Sequence, residues 1–229
     1  MTPDEWDACT EPQRMLQFLR ESGGVSDRKL RLFAVASFRR GGWSDAHPAI
    51  RDMLGVAERF ADGAAGDKER GAACAALAPL MRRAANPEPL PYAAAGAAHL
   101  GARKGQAAAR AAWHAANLLR ARVGRAGGDW AGAARVEEAA QAAILRDVVG
   151  PFRPVILDPS WLTPAVLSLA LASYDERILP LGHLDPLRLA VLADALEELG
   201  GADDAVGHLR SEGPHVRGCH VVDLVLGRE

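Results

Sequence analysis

Residues 185–229, DPLRLAVLADALEELGGADDAVGHLRSEGPHVRGCHVVDLVLGRE, hold the densest run of helix signals in the chain and most of its side chains capable of chemistry. Asp185-Pro186 is a helix start, with a capping carboxylate before a proline whose missing N–H costs nothing in the first turn. Leu189, Leu192, Leu196 and Leu199 then recur at three- and four-residue spacing until Gly200-Gly201 ends the helix. Asp203 or Asp204 caps a short second helix carrying Val206 and Leu209. Gly213-Pro214 is read as opening a third, with Val216, Cys219, Val222 and Leu226 on one face. A strand is disfavoured there because Asp223 would alternate onto the apolar side.

The same stretch concentrates His208, His215, Cys219, His220 and Asp223. On a helix, residues four apart share a face, so His215, Cys219 and Asp223 would align as ligands for a zinc-like ion, with His208 as a further donor. His220 and Asp223, three apart, would make an oriented acid-base pair. The competing reading is a packing role, in which Asp194, Arg217 and Asp223 are buried polar contacts that satisfy one another or a neighbouring helix end. The sequence favours packing, because Cys219 falls on the apolar face.

Upstream, PFRPVILDPSWLTP places prolines at 151, 154, 159 and 164, each restricting the residue before it to extended geometry. Phe152, Val155, Ile156, Leu157 and Trp161 are too apolar for a loose linker, which predicts an ordered connector laid against a helix. Thr163 caps the helix that follows, with Pro164 in its first position and Val166, Leu167 and Leu169 leading to Tyr174.

Residues 1–149 read as helices separated by Gly/Pro breaks. Thr10 is placed as cap of the first, ending at Gly23-Gly24, and Ser26 as cap of SDRKLRLFAVASFRR. Further helices are predicted over 47–61, 67–85 (Pro79 kinking or splitting it) and 129–149, where Trp130, Ala134, Ala140, Ile144 and Leu145 repeat. Cys74 lies on a stripe with Leu77 and Met81 and reads as a small packing residue. Residues 86–128 form an Ala-rich spacer in which Trp113, Asn117 and Leu118 suggest one helix, and His99 and His114 are isolated. The expected fold is all-α, an irregular multi-helix bundle or array over 1–149, then a Pro-rich connector and a C-terminal helical region over 150–229 sharing one core with it.

About a fifth of the 229 residues are alanine, the best helix former, and lysine occurs only at 29, 68 and 104. A formal charge of -2 removes the global case for a polyanion partner. Arg28, Arg31, Arg39 and Arg40 nevertheless sit on one helix as candidate phosphate contacts, against the blander reading of a solvated face paired with local acids. Three widely spaced cysteines, Cys9, Cys74 and Cys219, imply neither a disulfide framework nor a cysteine-only zinc site. The acidic start lacks a signal-peptide pattern, and no run approaches the ~20 apolar residues of a membrane span, so a cytoplasmic protein is expected. No GxSxG, phosphate-binding loop or HExxH is present.

The blocks EWDACTEPQRMLQFLR, SDRKLRLFAVASFRR, PFRPVILDPSWLTPAV, YDER, LADALEE and GPHVRGCHVVDLVLGRE together resemble an uncharacterised family of paralogous proteins in planctomycete bacteria. The resemblance covers residues 4–62 and 137–229 and leaves the middle as a variable spacer. LAVLADALEELGG also looks like the short helical motif of the repeat-companion domain. The family implies a helical cytoplasmic protein and no established activity. It usually has tryptophan where this chain has His220, which implies a packing position there.

Taken together, the residues predict a non-catalytic helical module that binds a protein partner through an exposed apolar surface, with no cofactor, no membrane and no nucleic acid. The alternatives are a metal-dependent enzyme using His208, His215, Cys219 and Asp223, and nucleic-acid binding through the arginine helix. Oligomeric state is left open.

Overall fold

The computed structural model of the chain describes residues 1–82, 128–152, 155–201 and 203–228, together with Ala97, His99, Leu100, Arg110 and His114. The described residues build an all-α array with one two-stranded hairpin. Two compact units share them: Cys9–Ala142, and Met1–Ala8 with Ala143–Glu229. The helix expected over Trp113, Asn117 and Leu118 lies outside the described residues.

The chain opens with a six-residue helix, α1 (Pro3–Ala8), which precedes the first helix expected from the sequence and belongs to the second of these units. In the first unit, α2 (Pro12–Ser22) begins one residue later than the Thr10 cap implied, with Glu11 in the cap position and no side-chain cap bond. It ends at Gly23, whose φ of 67° and N–H bond to the Leu19 carbonyl form a left-handed C-terminal cap. Ser26 accepts from Lys29 N to start α3 (Asp27–Arg40), and His47 Nδ1 accepts from Ala49 N at 3.1 Å to start α4 (Pro48–Ala61). The fourth helix of this unit, α5 (Asp67–Arg82), runs through Pro79. Phe38, Ile50, Met53, Leu54, Ala57 and Leu77 are fully buried between them, and Cys74 packs at the edge of that core. Burial raises the Cys74 thiol pKa, as expected for a packing residue.

The arginines of α3 do not form a solvated face. Arg31 is buried, donates to the Leu100 carbonyl and lies over the Phe60 ring, with its centroid 4.9 Å away. Arg39 holds Glu58 through two bonds of 3.0 and 3.2 Å, Arg28 meets Asp62 at 3.0 Å, and Arg40 meets the buried Glu137 at 3.0 Å. Each guanidinium is therefore committed inside the unit, because a buried charge is stable only when paired. A helical wheel of α3 alone cannot show this, since the carboxylates come from α4 and from the next helix, α6 (Trp130–Val149).

α6 starts where Asp129 Oδ1 accepts from Gly132 N at 2.8 Å. Ala134, Ile144 and Leu145 are buried as predicted, whereas Trp130 is 58 % exposed in the first turn and lies off the packing face. The boundary between the units falls inside this helix, between Ala142 and Ala143.

In the second unit the connector after Gly150 packs Val155, Leu157 and Trp161 onto the core, while Ile156 points outward. Thr163 Oγ1 accepts from Val166 N to start α7 (Pro164–Asp175), which buries Val166, Ala170 and Tyr174. A hairpin that the sequence did not reveal follows: β1 (Arg177–Ile178) pairs antiparallel with β2 (His183–Leu184), and His183 bridges on to Val216. Asp185 accepts from Leu187 N at 2.9 Å to begin α8 (Pro186–Glu198), whose Leu189, Leu192 and Leu196 are buried; Leu199 falls just past its end.

After the short α9 (Asp203–Leu209) the predicted helix from Gly213 is absent, and only α10 (His220–Val225) is helical. Gly213 and Gly218 have φ of 81° and 98°, outside the helical region, and Val216 is held extended by its bridge. His215, Cys219 and Asp223 therefore do not line one helix face. Asp194, expected to be buried, lies on the surface, where Arg210 bridges it and Glu197, each at 2.6 Å. Arg217 stacks on the Tyr174 ring with its centroid 4.5 Å away, and Asp223 is buried. Among the described residues no helix is long and apolar enough to cross a membrane.

Candidate metal centre

Asp147, in the last turn of α6, is the centre of the second unit's polar interior. A carboxylate there faces the negative end of the helix dipole, so its position requires partners from elsewhere. Three segments supply them. His215 Nδ1 lies 2.8 Å from Asp147 Oδ1, His208 Nε2 lies 3.0 Å from the same oxygen, and Val216 N donates to Oδ2 at 2.8 Å. Cys219 Sγ is 3.3 Å from His208 Nε2. One donor atom from each of Asp147, His208, His215 and Cys219 lies within 4.8 Å of every other.

This is a compact set of two imidazole nitrogens, one carboxylate oxygen and one sulfur. Zinc bond lengths imply tetrahedral ligand-to-ligand edges of roughly 3.3 to 3.6 Å. The contacts of 2.8 to 3.3 Å would open slightly, and the widest separation, up to 4.8 Å, would close, to admit an ion. Second-shell groups are also in place. His215 presents Nε2 to the Ser211 carbonyl at 3.2 Å, which orients the ring and leaves Nδ1 for an ion, and the Val216 amide fixes one Asp147 oxygen so that the other points inward.

Electrostatics follow from burial and pairing. Burial alone would raise the Asp147 pKa, but the bonds to His208 and His215 outweigh it and hold the carboxyl well below its usual range. Burial opposes the charged form of His215, yet its bond to Asp147 prevails and its pKa is raised. Cys219 is pushed well above the ordinary thiol value by burial and by the Asp147 charge, while the amides of Val222 and Val221 act the other way. The metal-free centre thus stores protons on His215 and Cys219 that an incoming cation would displace.

The centre forms one wall of a cleft of about 920 Å³, lined in addition by Trp6, Phe152 and Val155 and by the carboxylates of Asp4, Asp7 and Asp204. Trp6 and Phe152 meet edge to face at 5.8 Å, and Arg146 Nη1 donates to the Trp6 carbonyl at 3.2 Å. His220 stands beside the ligands: its Nδ1 is 3.0 Å from the Asp147 carbonyl and its ring 4.1 Å from that of His208. Gly150 makes room for it, since a Cβ there would come within 2.9 Å of the His220 ring.

The structure brings together His208, His215 and Cys219 from the sequence-stretch candidates and leaves Asp223 outside the cluster. Asp147 takes the place assigned to Asp223. The sequence reading did not single out Asp147; the local signal it offered is a carboxylate in the closing turn of a helix, where the dipole disfavours it, between the apolar Leu145 and Val148. Arg217 and Asp223 are away from the centre, and His99 and His114 stack on each other at 5.2 Å in the first unit. Comparison of the chain with protein-family models, with curated proteins and with solved structures finds no match.

Proposed function

We propose that this protein is a metal-binding protein whose second unit holds one zinc-class divalent ion between Asp147, His208, His215 and Cys219. The observation that supports this is the convergence of four donors of zinc-preferring types from α6, α9 and the irregular segment before α10, all within 4.8 Å of one another. Mixed nitrogen, oxygen and sulfur ligation disfavours magnesium and calcium, which take oxygen ligands. His208, His215 and Cys219 are joined by short, irregular backbone and reach Asp147 on a distant helix, so bound metal would add directly to the stability of this unit.

The test is metal analysis of the purified protein, followed by titration of the chelator-stripped chain with zinc. One equivalent per chain is expected, with His215→Ala and Cys219→Ala each losing it. A folded wild-type chain that takes up no zinc, or a doubly substituted chain that binds as well as wild type, overturns the reading.

A second reading, a partner-binding role, is favoured by one feature. Leu187 and Val191, one helical turn apart on α8, are 78 % and 51 % exposed, and Ile178 and Leu179 on the hairpin are also exposed. Isolated apolar side chains are ordinary on surfaces, but helical spacing of this kind suits a docked partner. Replacing Leu187 and Val191 by Glu should abolish any self- or partner association seen by sizing; unchanged association rejects this surface.

A further inference from the structure

Resting on the metal-binding reading, we infer that the ion has an exchangeable coordination position on the cleft side, the one His208 occupies, and that the centre hydrolyses neutral or cationic acyl compounds. Three of the four ligands are locked. The side chains of Asp147 and His215 are 4 % and 5 % exposed, and Cys219 is fully buried. Asp147, His208 and His215 all line the cleft, but His208 differs in exposure: its side chain is 21 % exposed and is carried on the seven-residue α9. The Val216 amide holds the second oxygen of Asp147, which disfavours its turning to a vacated position. Three fixed protein ligands with a fourth position open to solvent is the arrangement of catalytic zinc, whereas structural zinc is closed on all sides.

Charge defines the substrate class. A thiolate and a carboxylate neutralise the two charges of the ion, so the centre offers no net attraction to a phosphate ester. The cleft adds the carboxylates of Asp4, Asp7 and Asp204 against the single guanidinium of Arg146, which donates to the Trp6 carbonyl, and Trp6 and Phe152 provide an apolar surface beside them. A carbonyl substrate, neutral or positively charged, fits these walls. The reaction is addition of water across the acyl bond. An ion held by Asp147, His215 and Cys219 would polarise a water at the position of His208; the bond from the water oxygen to the carbonyl carbon would form as the bond from that carbon to the leaving nitrogen or oxygen breaks. The proton lost by water passes by way of His208 Nε2 to the leaving atom.

The experiment uses the full chain loaded with cobalt(II), whose visible absorption reports coordination number, with acetohydroxamate as the added ligand. The wild-type spectrum should shift on adding acetohydroxamate, and His208→Ala should retain one equivalent of cobalt and show the same shift. Zinc-loaded wild type should hydrolyse p-nitrophenyl acetate at least tenfold faster than the stripped chain and than zinc-loaded His208→Ala, and should leave bis(p-nitrophenyl) phosphate untouched. Cobalt bound with a spectrum that acetohydroxamate does not move, together with loss of the ion in His208→Ala, overturns the inference and leaves a closed four-ligand site. Equal hydrolysis by loaded and stripped protein overturns it as well. No cobalt bound by the wild type is the separate failure, that of the metal-binding reading itself.

Discussion

His215 Nδ1 stands 2.8 Å from Oδ1 of Asp147, a residue 68 positions earlier in the chain, while the neighbouring Val216 amide holds Oδ2 of the same carboxylate at 2.8 Å. One side chain thereby anchors both the end of α6 and the irregular segment before α10. Asp147→Ala would leave a raised-pKa histidine and a buried amide unpaired, at a cost of about 3–5 kcal/mol for a broken buried pair. Asp147→Asn keeps an acceptor for Val216 and should lose about 1–3 kcal/mol. Urea unfolding of the metal-free chain should rank wild type above Asn above Ala; an alanine variant within error of wild type contradicts the pairing.

The same pair sets how stability depends on pH. His215 has a raised pKa in the folded chain, so its contribution is complete below the unfolded value of about 6.5 and disappears as pH rises through the folded value. Asp147 has a lowered pKa, so its contribution is present above the unfolded value of about 3.9 and is lost as pH falls below it. Metal-free protein should therefore be most stable between about pH 4 and 6.5. With saturating zinc the alkaline side should reverse, because the ion competes with protons for histidine and thiol and binds more tightly as pH rises. Thermal melts across pH 5–8 in chelator and in zinc make the comparison, and parallel slopes in the two would contradict ligation by these groups.

Arg39 and Glu58 form a buried two-bond ion pair linking α3 to α4. Either Arg39→Ala or Glu58→Ala should cost about 3–5 kcal/mol, because it strands a buried charge, while Arg39→Met with Glu58→Leu should recover most of that loss. A double-mutant cycle in urea measures the coupling. Additive single effects would mean that water reaches the pair.

Gly150 and Gly63 share positive φ, 87° and 72°, but differ in surroundings. A Cβ at Gly63 meets nothing within 4 Å, while one at Gly150 meets the His220 ring at 2.9 Å. Alanine at either position pays the left-handed penalty of about 1–2 kcal/mol. Only Gly150→Ala should add to it and displace His220 from the Asp147 carbonyl, seen as a shift of the His220 ring resonances. Equal losses at the two sites would mean that the ring moves aside at no cost.

Much of the helical frame was legible because its signals are local. Ser26, His47, Asp129, Thr163 and Asp185 each bond a backbone amide two or three residues ahead, and prolines at 12, 48, 164 and 186 mark first turns. The stripe Leu189, Leu192, Leu196 also reads directly from spacing. Where the reading failed, local rules were satisfied by more than one structure. Residues 213–219 carry apolar spacing compatible with a helix, yet Gly213 and Gly218 adopt positive φ and Val216 pairs with His183. The hairpin is two residues per strand, too short for alternation to register.

The candidate centre divides in the same way. His208, His215 and Cys219 were visible as metal-binding side chains close together in the chain, but their fourth partner was sought within the same helix face, at Asp223. By itself the sequence determined the donor types, the helix starts and the apolar stripes, all of which depend on contacts within a few residues. Only the tertiary structure decided that Asp147 completes the set, that the α3 arginines are spent on internal carboxylates and, for Arg31, on a carbonyl, and that His208 is the most exposed of the four donors. Those outcomes depend on which distant segments meet, and burial makes an unpaired charge too costly to leave the choice open.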